Sequence, residues 1–297
     1  IASYALSYWV DLKKYVPQED LRKSLKLLNR QYQQASKLKT MMNNNLISLL
    51  DLTFPGINKL FTSPSRESDG HEKWVDFVLA FPHCDMISKL TIKFFSRKYK
   101  KWCNSNSYHF TEAACKKIYE YSKECISSVS SKESTAFAVI QAARMLNSAT
   151  ENCHVIQLEM NRVAAQLPEY STVMSMYGVG KAMGPQLMAE IGDPRRFHSR
   201  KAITAYFGYD SENNDSGQKV SISNSMTKKG ASALRRTLFI IMQVLLQNKP
   251  IDNPVYDFLI KKQSEGKHYY SYMNAAANKF LRIYYAKVKE VLTAAET

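Results

Sequence analysis

The chain has 297 residues, is 45% hydrophobic, and carries 41 Lys and Arg against 26 Asp and Glu, for a formal net charge of +15. That length allows one large domain or two to three smaller ones with a real core. The basic excess points to a polyanionic partner, since each Lys or Arg that meets a phosphate releases a condensed counterion. No apolar run reaches the roughly 20 residues of a membrane span; the longest, Leu238 to Leu246, contains Gln243 and reads as a core helix.

In chain order, Ile1 to Trp9 reads as a helix already under way, so residues 1–13 are expected to be the tail of an upstream domain. Residues 14–60 hold a first long helix. Leu21, Leu25, Leu28, Tyr32, Ala35, Met42, Leu46 and Leu49 keep a 4,3 repeat with Lys39 as the single polar interruption, and Phe54-Pro55-Gly56 stops it. Residues 61–134 form a small helical segment. Within it, Lys93 to Trp102 interleaves basic and aromatic residues. Two readings stay open there: rings stacking on bases, or an amphipathic helix with its rings buried. A second long helix occupies 135–168, with Val139, Ala142, Leu146, Ala149, Cys153, Ile156, Met160, Val163 and Leu167 in register and Pro168 at its end. The simplest arrangement of the two is an antiparallel coiled-coil stalk with 61–134 at its tip; a parallel intermolecular coiled coil competes.

Five cysteines, an odd count without C-x-x-C spacing, argue for reduced thiols in the cytoplasm and against both disulfides and a zinc site.

From residue 169 onward glycines and turns are denser, and Val220 to Ile222 is the one short strand-like stretch. Gly178-Val179-Gly180-Lys181 between two helical stretches fits a helix–hairpin–helix, whose turn aims backbone amides and a lysine at a phosphate. A plain helical hairpin is the alternative. Asp193-Pro194 makes a turn, and Ser199 is positioned to cap a helix that carries Ala202, Ile203 and Tyr206 inward. Arg195, Arg196, Arg200 and Lys201 cluster near that helix's start. Asp215-Ser216-Gly217 lies in a polar loop, followed by Lys228, Lys229, Arg235 and Arg236. A Ser-Gly in such a loop says almost nothing by itself.

Taken together, Gly178 and Gly180, Glu190 to Asp193, Arg196-Phe197, Ala205 to Gly208, Ser216-Gly217, Lys228 to Gly230 and Leu234-Arg235 resemble, in order and spacing, the insertion-sequence one-ten family of transposases, the bridge-RNA-guided recombinases. The likeness covers about residues 135–290 well and 1–134 loosely. It implies that residues 169–297 form a transposase domain with Ser216 as nucleophile. It also implies DNA as substrate, a structured guide RNA, a homo-oligomer, and Mg²⁺ held by a RuvC-like acidic domain of the full-length protein. Residues 1–13 would be the tail of that domain. This chain alone is then expected to hold no metal and to be inactive. Asp215, where relatives often carry Gln, departs from the pattern and needs a partner or an outward orientation.

The expected fold is mainly α: long coiled-coil helices with a small helical tip, then a compact helical transposase domain with helix–hairpin–helix elements. Candidate nucleic-acid contacts are Gly178, Gly180, Lys181, Arg195, Arg196, Arg200, Lys201, Lys228, Lys229, Arg235 and Arg236. The rival readings are a non-catalytic DNA- or RNA-binding module in which Ser216 is a turn residue, and a structural protein that oligomerises through the heptads.

Overall fold

The computed structural model of the chain describes residues 20–208 and 230–295, all helix, turn and connection, with no strand among them. Val220 to Ile222 lies outside the described residues. The chain forms two compact units: residues 31–158, and the segments before Gln31 together with those after Leu158.

Helix α1, Asp20–Thr53, contributes residues to both units. It stops where the sequence says it must: Pro55 lacks the amide a helix needs, and Gly56 turns left-handed at φ 73°. In the unit 31–158, the apolar stripe of α1 (Met42, Leu46, Leu50, Phe54) enters one core with four short helices. These are α2 (Lys73–Ala80), α3 (Asp85–Ser88), α4 (Ile92–Ser105) and α5 (Glu112–Glu124). Helix α6, Glu133–Ala164, adds Val139, Ala142, Leu146 and Ala149 to the same core. Lys39, the polar break in the first heptad run, reaches Glu72 at 3.6 Å.

Helix α4 settles the open reading of Lys93 to Trp102. Phe95 and Tyr99 are fully buried and stack on each other at 5.8 Å, and Tyr99 stacks on Trp102 at 5.7 Å. The rings are therefore core, and all but Phe94 are withdrawn from any base-stacking role. The basic residues stay outside.

The second unit is built on helix α12. Its members are α7 (Tyr170–Met174), α8 (Gly184–Ile191), α9 (Arg200–Tyr206), α10 (Ser232–Asn248), α11 (Pro254–Ser264) and α12 (Tyr269–Ala294). Met273, Ala276, Ala277, Phe280, Leu281, Tyr284 and Val288 make a wide stripe along α12 that α7, α9, α10 and α11 pack against. Asn253 caps α11 by accepting from the amides of Val255 and Tyr256, each at 3.0 Å. Among the described residues no helix is long and apolar enough to cross a membrane.

Candidate nucleic-acid interface

The region from α7 to α10 carries the predicted contacts. Between α7 and α8 the chain turns through Gly178, whose φ of 82° only glycine adopts without strain; a Cβ there would also meet Ile241 Cγ2 at 3.1 Å. Val179 is buried beneath the turn, while Gly180 and Lys181 face solvent. The Lys181 carbonyl is fixed by the Asn161 amide group at 2.9 Å. Helix α8 begins only at Gly184, with Pro185 in its first turn, so three residues separate the second glycine of the turn from the helix.

After α8, Asp193 closes a short 3-10 turn over Pro194–Arg196 by accepting from the Arg195 amide at 2.8 Å. Its carboxylate also takes the Arg195 guanidinium in a two-pronged pair, at 3.0 and 2.7 Å. Burial alone would raise the Asp193 pKa, but the bonds from Arg195 outweigh it and hold the carboxyl below its ordinary value. Arg195 is thus engaged locally. Arg196 points the other way. Its guanidinium lies 4.6 Å from the ring centres of both Phe197 and Tyr206 and donates to the Ile191 carbonyl at 3.0 Å. It remains exposed.

Ser199 caps α9 as its position predicts, its Oγ accepting from the Ala202 amide at 3.1 Å. Arg200 and Lys201 stand exposed in the first turn. The inward face differs from the expected one: Ile203, Thr204 and Phe207 are buried, whereas Tyr206 is 42% exposed beneath Arg196. Thr204 Oγ1 donates to the Arg200 carbonyl at 2.9 Å and reaches Asn278 Oδ1 at 3.1 Å, which locks α9 onto α12. Tyr285 adds a second tie by donating to the Phe197 carbonyl at 2.8 Å.

The C-terminal end of α9 is where the chain leaves the described residues, and it is also where the chain returns. Gly230 lies against the backbone of residues 206–208 so closely that an added Cβ would sit 2.6 Å from the Tyr206 carbonyl oxygen and 2.8 Å from the Phe207 carbonyl carbon. Arg235, from the first turn of α10, donates to the Phe207 carbonyl at 3.1 Å. Gly208 and Gly230, the described residues on either side of 209–229, therefore lie together, with Arg196 on the Tyr206 ring and Arg235 on the Phe207 carbonyl. Arg236 is exposed on the next position. Ser216, Asp215, Lys228 and Lys229 lie outside the described residues.

Beneath this surface is a set of polar ties that the sequence did not signal. Arg22 grips Glu169 through both terminal guanidinium nitrogens, the second at 3.2 Å, with both side chains almost wholly buried. Asn29 donates to Glu190 Oε1 at 2.6 Å. The Tyr284 hydroxyl is buried beside Glu169; burial first, and that carboxylate second, push its pKa far up. These pairs fasten the first three turns of α1 to the start of α7 and the end of α8.

Among the described residues of this unit, the carboxylates do not form the oxygen cage that Mg²⁺ takes. Glu169 is committed to Arg22, Glu190 to Asn29 and Asp193 to Arg195. Among the described residues, the one grouping with metal-ligand spacing is His83, Cys84 and Asp85, in the other unit. Its donors are mixed rather than all oxygen. His83 Nδ1 already accepts from the Asp85 amide at 3.1 Å, so it serves as a cap.

Residues 170–257 match the model of the transposase IS116/IS110/IS902 family. The match supports a transposase role, with DNA as the partner. It spans α7 to the start of α11, and so contains Ser216 and every predicted nucleic-acid contact. No curated protein matches the chain.

Proposed function

We propose that this chain is a DNA transposase that cleaves and rejoins strands through Ser216, with a structured RNA as guide. The observation that carries the reading is the meeting of Gly230 with residues 206–208, flanked by Arg196 and Arg235, inside the family-matched region. A closed base of this kind gives the segment bearing Ser216 a fixed point of departure, and it lies beside cations that can receive a phosphodiester.

In the proposed reaction Ser216 Oγ attacks phosphorus and its proton passes to a base. The bond from phosphorus to the departing strand's oxygen breaks, and that oxygen is protonated. The ester keeps the energy of the broken bond, so the hydroxyl of a second strand can displace the serine with no nucleotide cofactor. Arg196, Arg200, Lys201, Arg235 and Arg236, with Lys228 and Lys229, offset phosphate charge around the attack. Arg195 is held by Asp193 and serves the turn instead. Gly178, Gly180 and Lys181 would grip backbone further along the duplex without reading its sequence. Mg²⁺, when present, would add Lewis-acid charge neutralisation from carboxylates outside those described here. Self-association through the heptad helices would bring two DNAs together.

The test is covalent trapping. The chain is combined with the acidic domain that the resemblance implies, Mg²⁺, guide RNA and donor DNA, and run on denaturing gels as wild type and Ser216→Ala. An adduct in wild type and none in the variant is expected. Salt-sensitive DNA binding in both proteins with no adduct in either would reduce Ser216 to a turn residue and the protein to a binding module.

A further inference from the structure

The sequence of α4 has five basic residues and no acidic one in 14 positions. Thr91 caps it by accepting from the Phe94 amide at 3.4 Å, and its rings fix its rotation. With Phe95, Tyr99 and Cys103 buried, Lys93, Arg97, Lys98, Lys100 and Lys101 are all exposed. At 3.6 residues per turn, Lys93, Arg97, Lys100 and Lys101 fall within about 100° of arc and about 12 Å of axis.

Neutralising partners are missing from this face. On neighbouring elements, Lys89 pairs with Asp85 at 2.9 Å and Lys116 with Glu120 at 3.8 Å. Among the described residues no carboxylate is in ion-pair distance of the five cations of α4. Lys93 and Arg97 also line the groove between α4 and α5, about 630 Å³, across from Glu112 and Glu120 but outside ion-pair distance of both, and Glu120 is already taken by Lys116. Lys100 and Lys101 lie outside that groove and carry the cationic face away from it.

We infer that the outer face of α4 is a second DNA-contacting surface, which binds the phosphate backbone of duplex DNA through Lys93, Arg97, Lys100 and Lys101. It belongs to the unit 31–158, outside the family-matched residues 170–257. A single strand is held by bases stacking on rings, and here Tyr99 and Phe95 are spent on the core. A duplex needs only its phosphates met. These rise about 3.4 Å apiece along one strand, so about 12 Å of helix faces three to four of them. The inference rests on the reading of the chain as a DNA-handling protein.

The experiment measures binding of the full chain to a duplex of arbitrary sequence by fluorescence anisotropy across a salt series. Four cations on phosphates predict a log K against log salt slope shallower by about 3 to 4 in the variant Lys93→Gln/Arg97→Gln/Lys100→Gln/Lys101→Gln. Affinity near 0.1 M salt should fall by about a hundred- to a thousandfold. A second variant, Lys93→Arg/Lys100→Arg/Lys101→Arg, should keep the wild-type slope, because charge rather than packing acts here. A glutamine variant with the wild-type slope overturns the inference, as does an arginine variant that loses it. Loss of binding to duplex RNA with DNA binding intact would also overturn it and assign the face to RNA. A wild-type chain with no salt-dependent DNA binding at all would instead remove the transposase reading beneath it.

Discussion

Gly230→Ala is the substitution whose effect the structure fixes most tightly. The new methyl would stand 2.6 Å from the Tyr206 oxygen and 2.8 Å from the Phe207 carbonyl carbon. Both are backbone atoms on a helix end that Arg235 and α12 hold, so no flexible side chain can yield. Overpacking of this kind costs about 1–3 kcal/mol. Restricting the unfolded chain returns about 0.4–1 kcal/mol. The net expectation is a loss of about 1–2 kcal/mol, or about 2–8 °C in melting temperature for a unit of this size. Gly180→Ala is the internal control: nothing lies within 4 Å of its Cβ position, and its φ is not left-handed, so it should melt at or slightly above wild type. Thermal melts followed at 222 nm read the first effect, and DNA joining by the same variants combined with the acidic domain, Mg²⁺, guide RNA and donor DNA reads the second. The variant Gly230→Ala should also join strands poorly, because the base from which the Ser216 segment departs is forced apart. A Gly230→Ala protein as stable and as active as wild type would refute the close approach and its role.

Arg22→Ala leaves Glu169 buried and unpaired, and should cost about 3–5 kcal/mol in urea unfolding; Arg22→Met with Glu169→Leu should recover most of it, and an Arg22→Ala cost below about 1 kcal/mol would contradict the buried pair. Arg196→Ala should flatten the salt dependence of DNA binding by about one unit. Arg195→Ala should leave that slope unchanged, because Asp193 already neutralises it; equal flattening by both would contradict the local pairing. A hydrogen bond from Arg66 holds Asp69 down at about 2 from an ordinary 3.8, so the stability it contributes is present above 3.8 and lost as pH falls toward 2. Unfolding of Asp69→Asn measured against pH should therefore show a deficit at neutral pH that closes over that window; a deficit constant down to about pH 2 would contradict the assignment.

The long helices were legible because apolar spacing over many turns averages out local exceptions, and Pro55 and Pro168 mark their ends. Helix α9 was harder. In seven residues a single turn decides the phase, and the turn went to Phe207, leaving Tyr206 under Arg196. The rings of Lys93 to Trp102 were ambiguous for another reason: basic and aromatic residues interleave in the same way whether the aromatics meet bases or a core. Only the burial of Phe95 and Tyr99 separates the two. Arg195 has a local signal that was there to be read, since Asp193 two residues earlier can take both its amide and its guanidinium. The pairs Arg22–Glu169 and Asn29–Glu190 have none. Their partners lie 147 and 161 residues apart, and a charge in a sequence does not name its partner. Gly230 belonged to a recognisable motif, but its reason, backbone against backbone at residues 206–208, is visible only in three dimensions.

In the function proposed above, Ser216 carries the DNA covalently. The most direct measurement is to digest the trapped adduct with trypsin and locate the nucleotide remnant by fragmentation mass spectrometry. The remnant is expected on the peptide from Ala202 to Lys219, on Ser216 rather than Ser211. Strand joining with no protein-linked intermediate, or a remnant on any other residue, would contradict it.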